Sequence, residues 1–186
     1  FEVDHGESEG LFILTGSAVP AKTEEIHHSG AGRFAWLTMR PMSLYESGES
    51  SGEVSLGDMF ETPDNITGIN QLTLDDIAFL ICRGGWPRAS LQTGDIALDQ
   101  VKYYYDAVTR ADISRVDGIR RNQERAKRLM RSYARHQGSQ APISTIVEDM
   151  RVNDEETTDA KTVAFYINAL KKIFVIEDSV AWNPYL

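Results

Sequence analysis

The stretch LFILTGSAVPAKTEE, residues 11–25, decides how the first part of the chain is interpreted. Its apolar run from Leu11 to Thr15, bounded by Gly10 and Gly16, is typical of a strand that is buried on both faces of an α/β sheet. The loop after this run differs by one residue from GxxxxGK[ST], the phosphate-binding loop of nucleotide hydrolases. The first question is therefore whether residues 16–23 surround a phosphate.

The loop lacks two features that a phosphate-binding loop requires. Such a loop points consecutive backbone N–H groups at the β-phosphate, and a glycine before its lysine lets the backbone approach closely. Here Ala21 stands in place of that glycine, and Pro20 has no N–H group to donate. No second apolar strand ends in an aspartate that would hold Mg²⁺. We therefore predict a strand and a loop, but no P-loop.

Composition indicates a globular protein: 41% of the 186 residues are hydrophobic. No apolar run approaches the ~18 residues of a membrane helix, and the first residues do not resemble a secretion signal. We expect a cytoplasmic protein with no membrane partner. The single cysteine, Cys82, excludes an internal disulfide, and its apolar neighbours predict a buried structural thiol.

Charge is distributed unevenly along the chain. Residues 1–100 hold 5 basic and 16 acidic side chains, whereas residues 110–136 hold 9 basic and 3 acidic ones. A basic segment in an acidic protein either meets phosphate or an acidic partner, or packs against the acidic half of its own chain. The sequence leaves these alternatives open.

Helical periodicity dominates after residue 70. The segment LTLDDIAFLICRGG has apolar residues at helical spacing, acids in its first turn and two glycines at its end. We predict further helices over residues 96–110, in the arginine-rich segment that ends near Arg135, over residues 143–150, and from a cap at Asp159 onward. A second strand is predicted over residues 34–42, and strand-like pieces, FVIED and VAW, follow the last helix. Three helices and a short hairpin are typical of a winged helix.

Four ordered motifs, LFILTGSA, SGAGRFAWLTMRPMSLYESG, GGWP and TVAFYINALKKIFVIEDSVAWNP, together resemble the prokaryotic predicted ATPases of the AAA+ superfamily. In these proteins a P-loop ATPase module carries a C-terminal domain of unknown function, and the resemblance covers nearly the whole chain. It implies that the Walker A and Walker B motifs lie upstream of Phe1, in agreement with the missing initiator methionine. The intact protein is then expected to bind and hydrolyse ATP with Mg²⁺, whereas no cofactor is expected on this portion alone.

The expected fold is an α/β remnant of an AAA+ core sheet followed by a mostly α, winged-helix-like domain. Residues 1–60 would complete the ATPase core, residues 61–110 would form a helical connector that contains GGWP, and residues 111–186 would form the winged-helix-like domain. The missing N-terminal ATPase segment is the main expected partner, and self-association is a further one.

The resemblance also implies site residues near the triphosphate. Thr15, with Ser17 beside it, corresponds to the sensor 1 position at the end of a core strand, and Arg33 is a candidate arginine finger that would stabilise charge on the transferred phosphoryl group. Arg40 is a weaker candidate for the same role. The alternatives are that Thr15 and Ser17 only satisfy the backbone at a strand end, and that Arg33 pairs with an N-terminal carboxylate.

The C-terminal domain has its own candidate contacts. A DNA or protein partner would meet the basic side chains in this part of the chain, among them Arg120, Arg121, Arg128, Lys171 and Lys172. Residues 137–186 carry more acidic than basic side chains, which favours protein docking over DNA. The competing hypothesis for the chain is a DNA- or protein-binding module with a vestigial ATPase segment.

Overall fold

The computed structural model describes residues 12–16, 35, 37–151 and 158–179. Regular structure in these ranges is helical, and a π-helical turn at Val108–Asp112 continues from α4 into α5. Contacts divide the chain into a middle unit, His28–Ala107, and a C-terminal unit, Val108–Leu186 together with Phe1–His27. No helix in the described ranges is long and apolar enough to cross a membrane. The helices are α1 (Leu56–Glu61), α2 (Leu74–Arg83), α3 (Pro87–Ser90), α4 (Gly94–Ala107), α5 (Ile113–Arg115), α6 (Gln123–Arg135), α7 (Ile143–Arg151) and α8 (Ala160–Lys172).

The predicted α/β remnant of an AAA+ core sheet is not observed, and this prediction was wrong. Residues 12–16 and 37–42 form no strand, and no strand occurs elsewhere in the described ranges. The apolar side chains of both segments, such as Phe12 and Leu37, are exposed. The physical reason is that a strand is stabilised by the ladder it makes with a neighbour, and apolar composition alone provides no neighbour.

The predicted β hairpin of a winged helix is also missing among the described residues. α8 ends in a Schellman motif, in which the Val175 N–H donates to the Leu170 carbonyl and the Phe174 N–H donates to the Lys171 carbonyl, each at 3.0 Å. Phe174 takes the left-handed conformation that this motif requires, with φ 57°. The chain therefore turns at Phe174, and residues 175–179 contain no strand. The VAW piece lies outside the described residues.

The predicted C-terminal helices are confirmed, and they form the core of the C-terminal unit. Leu129 of α6, Ile146 of α7 and Leu170 of α8 are buried where the three helices pack together. The predicted cap of α8 is present, since the Asp159 carboxylate accepts a hydrogen bond from the Thr162 N–H at 2.7 Å. Hydrogen bonding to the Thr162 side chain, together with this backbone bond, lowers the pKa of Asp159 below its usual value. The helical periodicity of the sequence thus predicted this unit well.

In the middle unit, α2 packs against α4 with one face and exposes apolar side chains on the other. Arg83 is buried and Leu80 is half-buried on the packed face. Leu74 and Ile81 are 84% and 76% exposed, and Ile77 lies on the same side of the helix. Cys82 is exposed as well, so the prediction of a buried thiol was wrong. α2 therefore carries an apolar stripe that the described part of the middle unit leaves exposed.

The GGWP motif lies directly against the start of the SLYESG loop. The Met42 N–H donates to the Gly85 carbonyl at 2.7 Å, and a Cβ atom on Gly85 would lie 2.1 Å from the Met42 carbonyl oxygen. The approach of the two backbones leaves no room for a side chain. Glycine at position 85 is required by this contact.

We predict that Gly85→Ala lowers the free energy of unfolding of the middle unit by about 2 kcal/mol, because the two backbones must separate to admit a methyl group. Chemical denaturation followed by circular dichroism measures this change. The matched control is Gly57→Ala in α1, where the nearest atom to an added Cβ is 3.7 Å away. Equal stability of the two variants would contradict the assignment.

Candidate functional site

Of the residues expected beside a triphosphate, the structure describes Thr15 and Arg40. Thr15 lies in an exposed segment without regular structure, and Arg40 is also exposed. Ser17 and Arg33 lie outside the described residues. The proposed roles of Thr15, Ser17 and Arg33 therefore stay predictions.

Two motifs that carry the family resemblance, RPMSLYESG and GGWP, meet in the middle unit. Arg83, 3% exposed, precedes GGWP and makes an ion pair with Glu49, directly after RPMSLYESG. Its guanidinium also donates to Ser47 Oγ at 3.3 Å and to the Gly84 carbonyl at 3.1 Å. Hydrogen bonding to Arg83 lowers the pKa of Glu49. The two motifs therefore form one structural cluster, although they lie more than 30 residues apart in the chain.

Arg121, a predicted contact residue for nucleic acid, has its side chain inside the C-terminal unit. Its guanidinium donates to both carboxylate oxygens of Asp117 at 2.8 and 2.7 Å, and to the Ile113 carbonyl at 2.6 Å. The same group lies 4.1 Å from the ring centre of Phe165 and 5.9 Å from that of Tyr166. Arg121 therefore holds the α5 segment against α8, and its charge is not presented to a partner.

The other predicted contact residues differ in their exposure and in their partners. Arg120 is exposed before α6, and Lys172 is exposed at the last turn of α8. Lys171 makes an ion pair with Asp178. Arg128 lies on α6, in the groove described next. The contact roles of Arg120, Arg128, Lys171 and Lys172 therefore stay predictions.

A groove of about 540 Å³ runs along α6 beside α7, and we call it the α6–α7 groove. At one end Lys127 Nζ lies 3.8 Å from Glu124 Oε1, and at the other end Arg135 Nη1 lies 2.8 Å from Asp149 Oδ1. Arg131 and Ser132 lie between these pairs in the chain. The lining residues are Glu124, Lys127, Arg128, Arg131, Ser132, Arg135, Asp149 and Met150.

Ser132 and Asp149 are the groove residues that sequence reasoning missed. Ser132 is 1% exposed, and its hydroxyl has no hydrogen-bond partner among the described residues. Asp149 Oδ2 is likewise buried, and no described group donates to it. A signal for Ser132 does exist in the sequence, because it occupies a position beside Leu129 and Tyr133 on the apolar stripe of α6. For Asp149 no such signal exists, since its position beside α6 depends on how α7 packs.

No group of three or more His, Cys, Asp or Glu side chains that is arranged to hold a metal ion occurs in the described ranges.

Comparison with known proteins gives one match. Residues 74–185, more than half of the chain, match the model of a family described as "Domain of unknown function (DUF8612)". This range begins at the first residue of α2 and extends through α8. Searches of the curated proteins and of the solved structures found no match.

We predict that Asp117→Asn lowers the free energy of unfolding by about 3 kcal/mol at pH 7, because it leaves the buried Arg121 charge without a counter-ion. Hydrogen bonding to Arg121 lowers the pKa of Asp117 in the folded state. The carboxylate therefore stabilises the fold above about pH 4, and this contribution is lost as the pH falls through the folded pKa. The difference between wild type and variant should accordingly shrink below pH 4 in denaturant titrations.

The matched control for this measurement is Asp112→Asn. Asp112 lies 3.7 Å from Arg115, and both side chains are largely exposed, so the change should cost less than about 0.5 kcal/mol at any pH. If Asp117→Asn lowers the free energy of unfolding equally little, or by an amount that does not depend on pH, then the Asp117 carboxylate does not stabilise the buried charge of Arg121.

Proposed function

This chain belongs to the DUF8612 family, and we propose that it is the C-terminal part of an AAA+ protein that binds and hydrolyses ATP with Mg²⁺. The family's description names no activity, so the proposal rests on the ordered motifs that resemble predicted ATPases. The middle unit supports it, because RPMSLYESG and GGWP form one cluster there. In this proposal the nucleotide-binding segment lies upstream, and the protein is cytoplasmic.

The observation that carries the proposal is the exposed apolar face of α2. Leu74, Ile77 and Ile81 occur at i, i+3 and i+7 on one side of the helix, and all three are exposed. Contiguous exposed apolar stripes mark contacts with another polypeptide. We assign this face to the nucleotide-binding segment of the same protein, the partner that the resemblance implies.

The proposed roles of the site residues follow from this assembly. Thr15, with Ser17, would read the state of the γ-phosphate through a hydroxyl hydrogen bond. Arg33 would stabilise charge on the phosphoryl group during transfer. Gly30 and Gly32 would let the loop approach the nucleotide closely. The nucleotide cradle and the Mg²⁺ ligands would come from the upstream segment.

A second candidate function is that of a partner-binding module. The basic character of residues 110–136, which hold 9 basic and 3 acidic side chains, favours it. Between the possible partners, protein is favoured over DNA, because Arg121 is turned inward and Lys171 pairs with Asp178. In this competing hypothesis the ATPase segment is vestigial.

We predict that Ile81→Glu has different effects in two chains. In the 186-residue chain it should change the free energy of unfolding by less than about 0.5 kcal/mol, because the side chain is already exposed. In the longer protein with its nucleotide-binding segment, it should lower the free energy of unfolding by about 2 kcal/mol or more, because a charge would replace a buried isoleucine. Thermal and chemical denaturation of both chains measure the difference.

The matched control for Ile81→Glu is Ile143→Glu, which changes a partly exposed isoleucine of the C-terminal unit. It should have the same effect in both chains. If Ile81→Glu also behaves identically in the two chains, the α2 face does not contact the nucleotide-binding segment. A reading frame upstream of Phe1 that lacks GxxxxGK[ST] would contradict the ATPase itself.

We predict that Arg33→Ala in the longer protein leaves ATP affinity unchanged and lowers turnover by about 10³-fold, because a finger acts on charge that develops only in the transition state. Steady-state hydrolysis and equilibrium nucleotide binding separate the two effects. Arg40→Ala provides the comparison, as the weaker candidate. Unchanged turnover in Arg33→Ala would refute the role of Arg33 and leave the assembly proposal in place.

A further inference from the structure

We propose that the α6–α7 groove is a binding site for a small phosphate ester that also carries a hydroxyl group. This site is separate from the ATP site of the proposed function and does not depend on it. Four observations support it: the row of cations along α6, the buried hydroxyl of Ser132, the unsatisfied oxygen of Asp149, and the carboxylates at both ends of the groove.

The cations of α6 provide the anion-binding part of the groove. Arg128, Arg131 and Arg135 are separated by three and four residues, so they project from one face of the helix within two turns. Arg131 makes no ion pair with any described residue, whereas Arg135 pairs with Asp149. Guanidinium groups bind phosphate oxygens through two parallel hydrogen bonds. Arg131 is therefore the residue that is best placed to bind the phosphate group.

Ser132 adds a hydroxyl that the fold itself does not use. The residue is 1% exposed, lines the groove, and lacks a hydrogen-bond partner among the described residues. Buried polar groups are normally paired, and each exception in a structure requires an explanation. Because Ser132 and Arg131 line the same groove, a phosphate group that binds Arg131 would also accept the hydrogen of the Ser132 hydroxyl. Ligand binding thus accounts for a hydroxyl that packing does not.

Asp149 indicates that the ligand carries a donor. One of its oxygens accepts a hydrogen bond from Arg135, while the other is buried and receives none from the described residues. A carboxylate oxygen can only accept, so the group opposite to it must donate. An anionic phosphate oxygen placed opposite this carboxylate would instead be repelled. A hydroxyl on the carbon skeleton of a phosphate ester meets the requirement, and the buried side chain of Met150 offers an apolar contact for that skeleton.

The ends of the groove limit the ligand to a small molecule. Glu124 lies at one end and Asp149 at the other, so a nucleic-acid strand along α6 would pass two carboxylates. The volume of about 540 Å³ falls within the range of small-molecule pockets. The positive charge is therefore concentrated at the centre, around one phosphate group.

The test is a titration of the complete 186-residue chain with inorganic phosphate and with ribose 5-phosphate, followed by amide NMR shifts, in the absence of ATP and Mg²⁺. We expect saturable shifts in α6 and α7, and tighter binding of ribose 5-phosphate than of inorganic phosphate. Because no ATP is present, this result is independent of whether the longer protein hydrolyses ATP.

Four variants locate the site. Arg131→Gln should weaken binding of ribose 5-phosphate by about 10-fold or more, since a charge-assisted bidentate contact is lost. Ser132→Ala should weaken it several-fold without lowering the melting temperature, because the deleted hydroxyl has no partner in the described structure. Asp149→Asn should reduce the preference for ribose 5-phosphate over inorganic phosphate. The matched control, Arg120→Gln, removes an exposed arginine outside the groove and should change nothing.

Three results would overturn the proposal. The first is absence of saturable binding of ribose 5-phosphate at millimolar concentrations. The second is equal weakening by Arg131→Gln and Arg120→Gln, which would indicate general attraction of anions to a basic surface. The third is tighter binding of a duplex DNA or of a phosphoserine peptide than of ribose 5-phosphate, which would identify a macromolecular partner instead.

Discussion

The C-terminal unit depends on the buried guanidinium of Arg121. This one group binds Asp117 and the Ile113 carbonyl on the α5 segment, and its face contacts the rings of Phe165 and Tyr166 on α8. Tyr166 in turn accepts a hydrogen bond from the Asn122 N–H at 2.9 Å, at the start of α6. A buried charge requires a counter-ion, which Asp117 provides, so these contacts constrain one another. The position of α6, and with it the α6–α7 groove, follows from this arrangement.

The middle unit also contains a buried arginine that pairs with a carboxylate. Arg83 and Glu49 connect the end of α2 to a loop that is distant in sequence, and Gly85 allows the backbones to touch. These contacts account for three of the residues in and beside the motifs that resemble AAA+ proteins. They have a structural explanation that needs no nucleotide.

Local signals predicted the helices of this chain because each signal acts within a few residues. Asp159 caps α8 through its own neighbour Thr162, and Thr73 and Asp76 form a capping box at the start of α2. The strands failed for the opposite reason, since Leu11–Thr15 needs a partner strand that its own sequence does not provide. For the site, the basic character of α6 was visible in the charge pattern. The sequence could not show that Arg121 points inward while Arg131 lines a groove. Both are arginines in the same basic segment, and nothing near either residue distinguishes them.

The sequence by itself determined the longer helices α2, α4, α6, α7 and α8, the acidic and basic segments, and most residues of the apolar stripes of α6 and α8. These features depend on periodicity, capping and charge, which are properties of neighbouring residues. Only the tertiary structure decided which arginine became part of the core, which face of α2 stayed exposed, and that Ser132 and Asp149 share one groove. Those outcomes depend on contacts between residues far apart in the chain, and such contacts arise only when the helices pack.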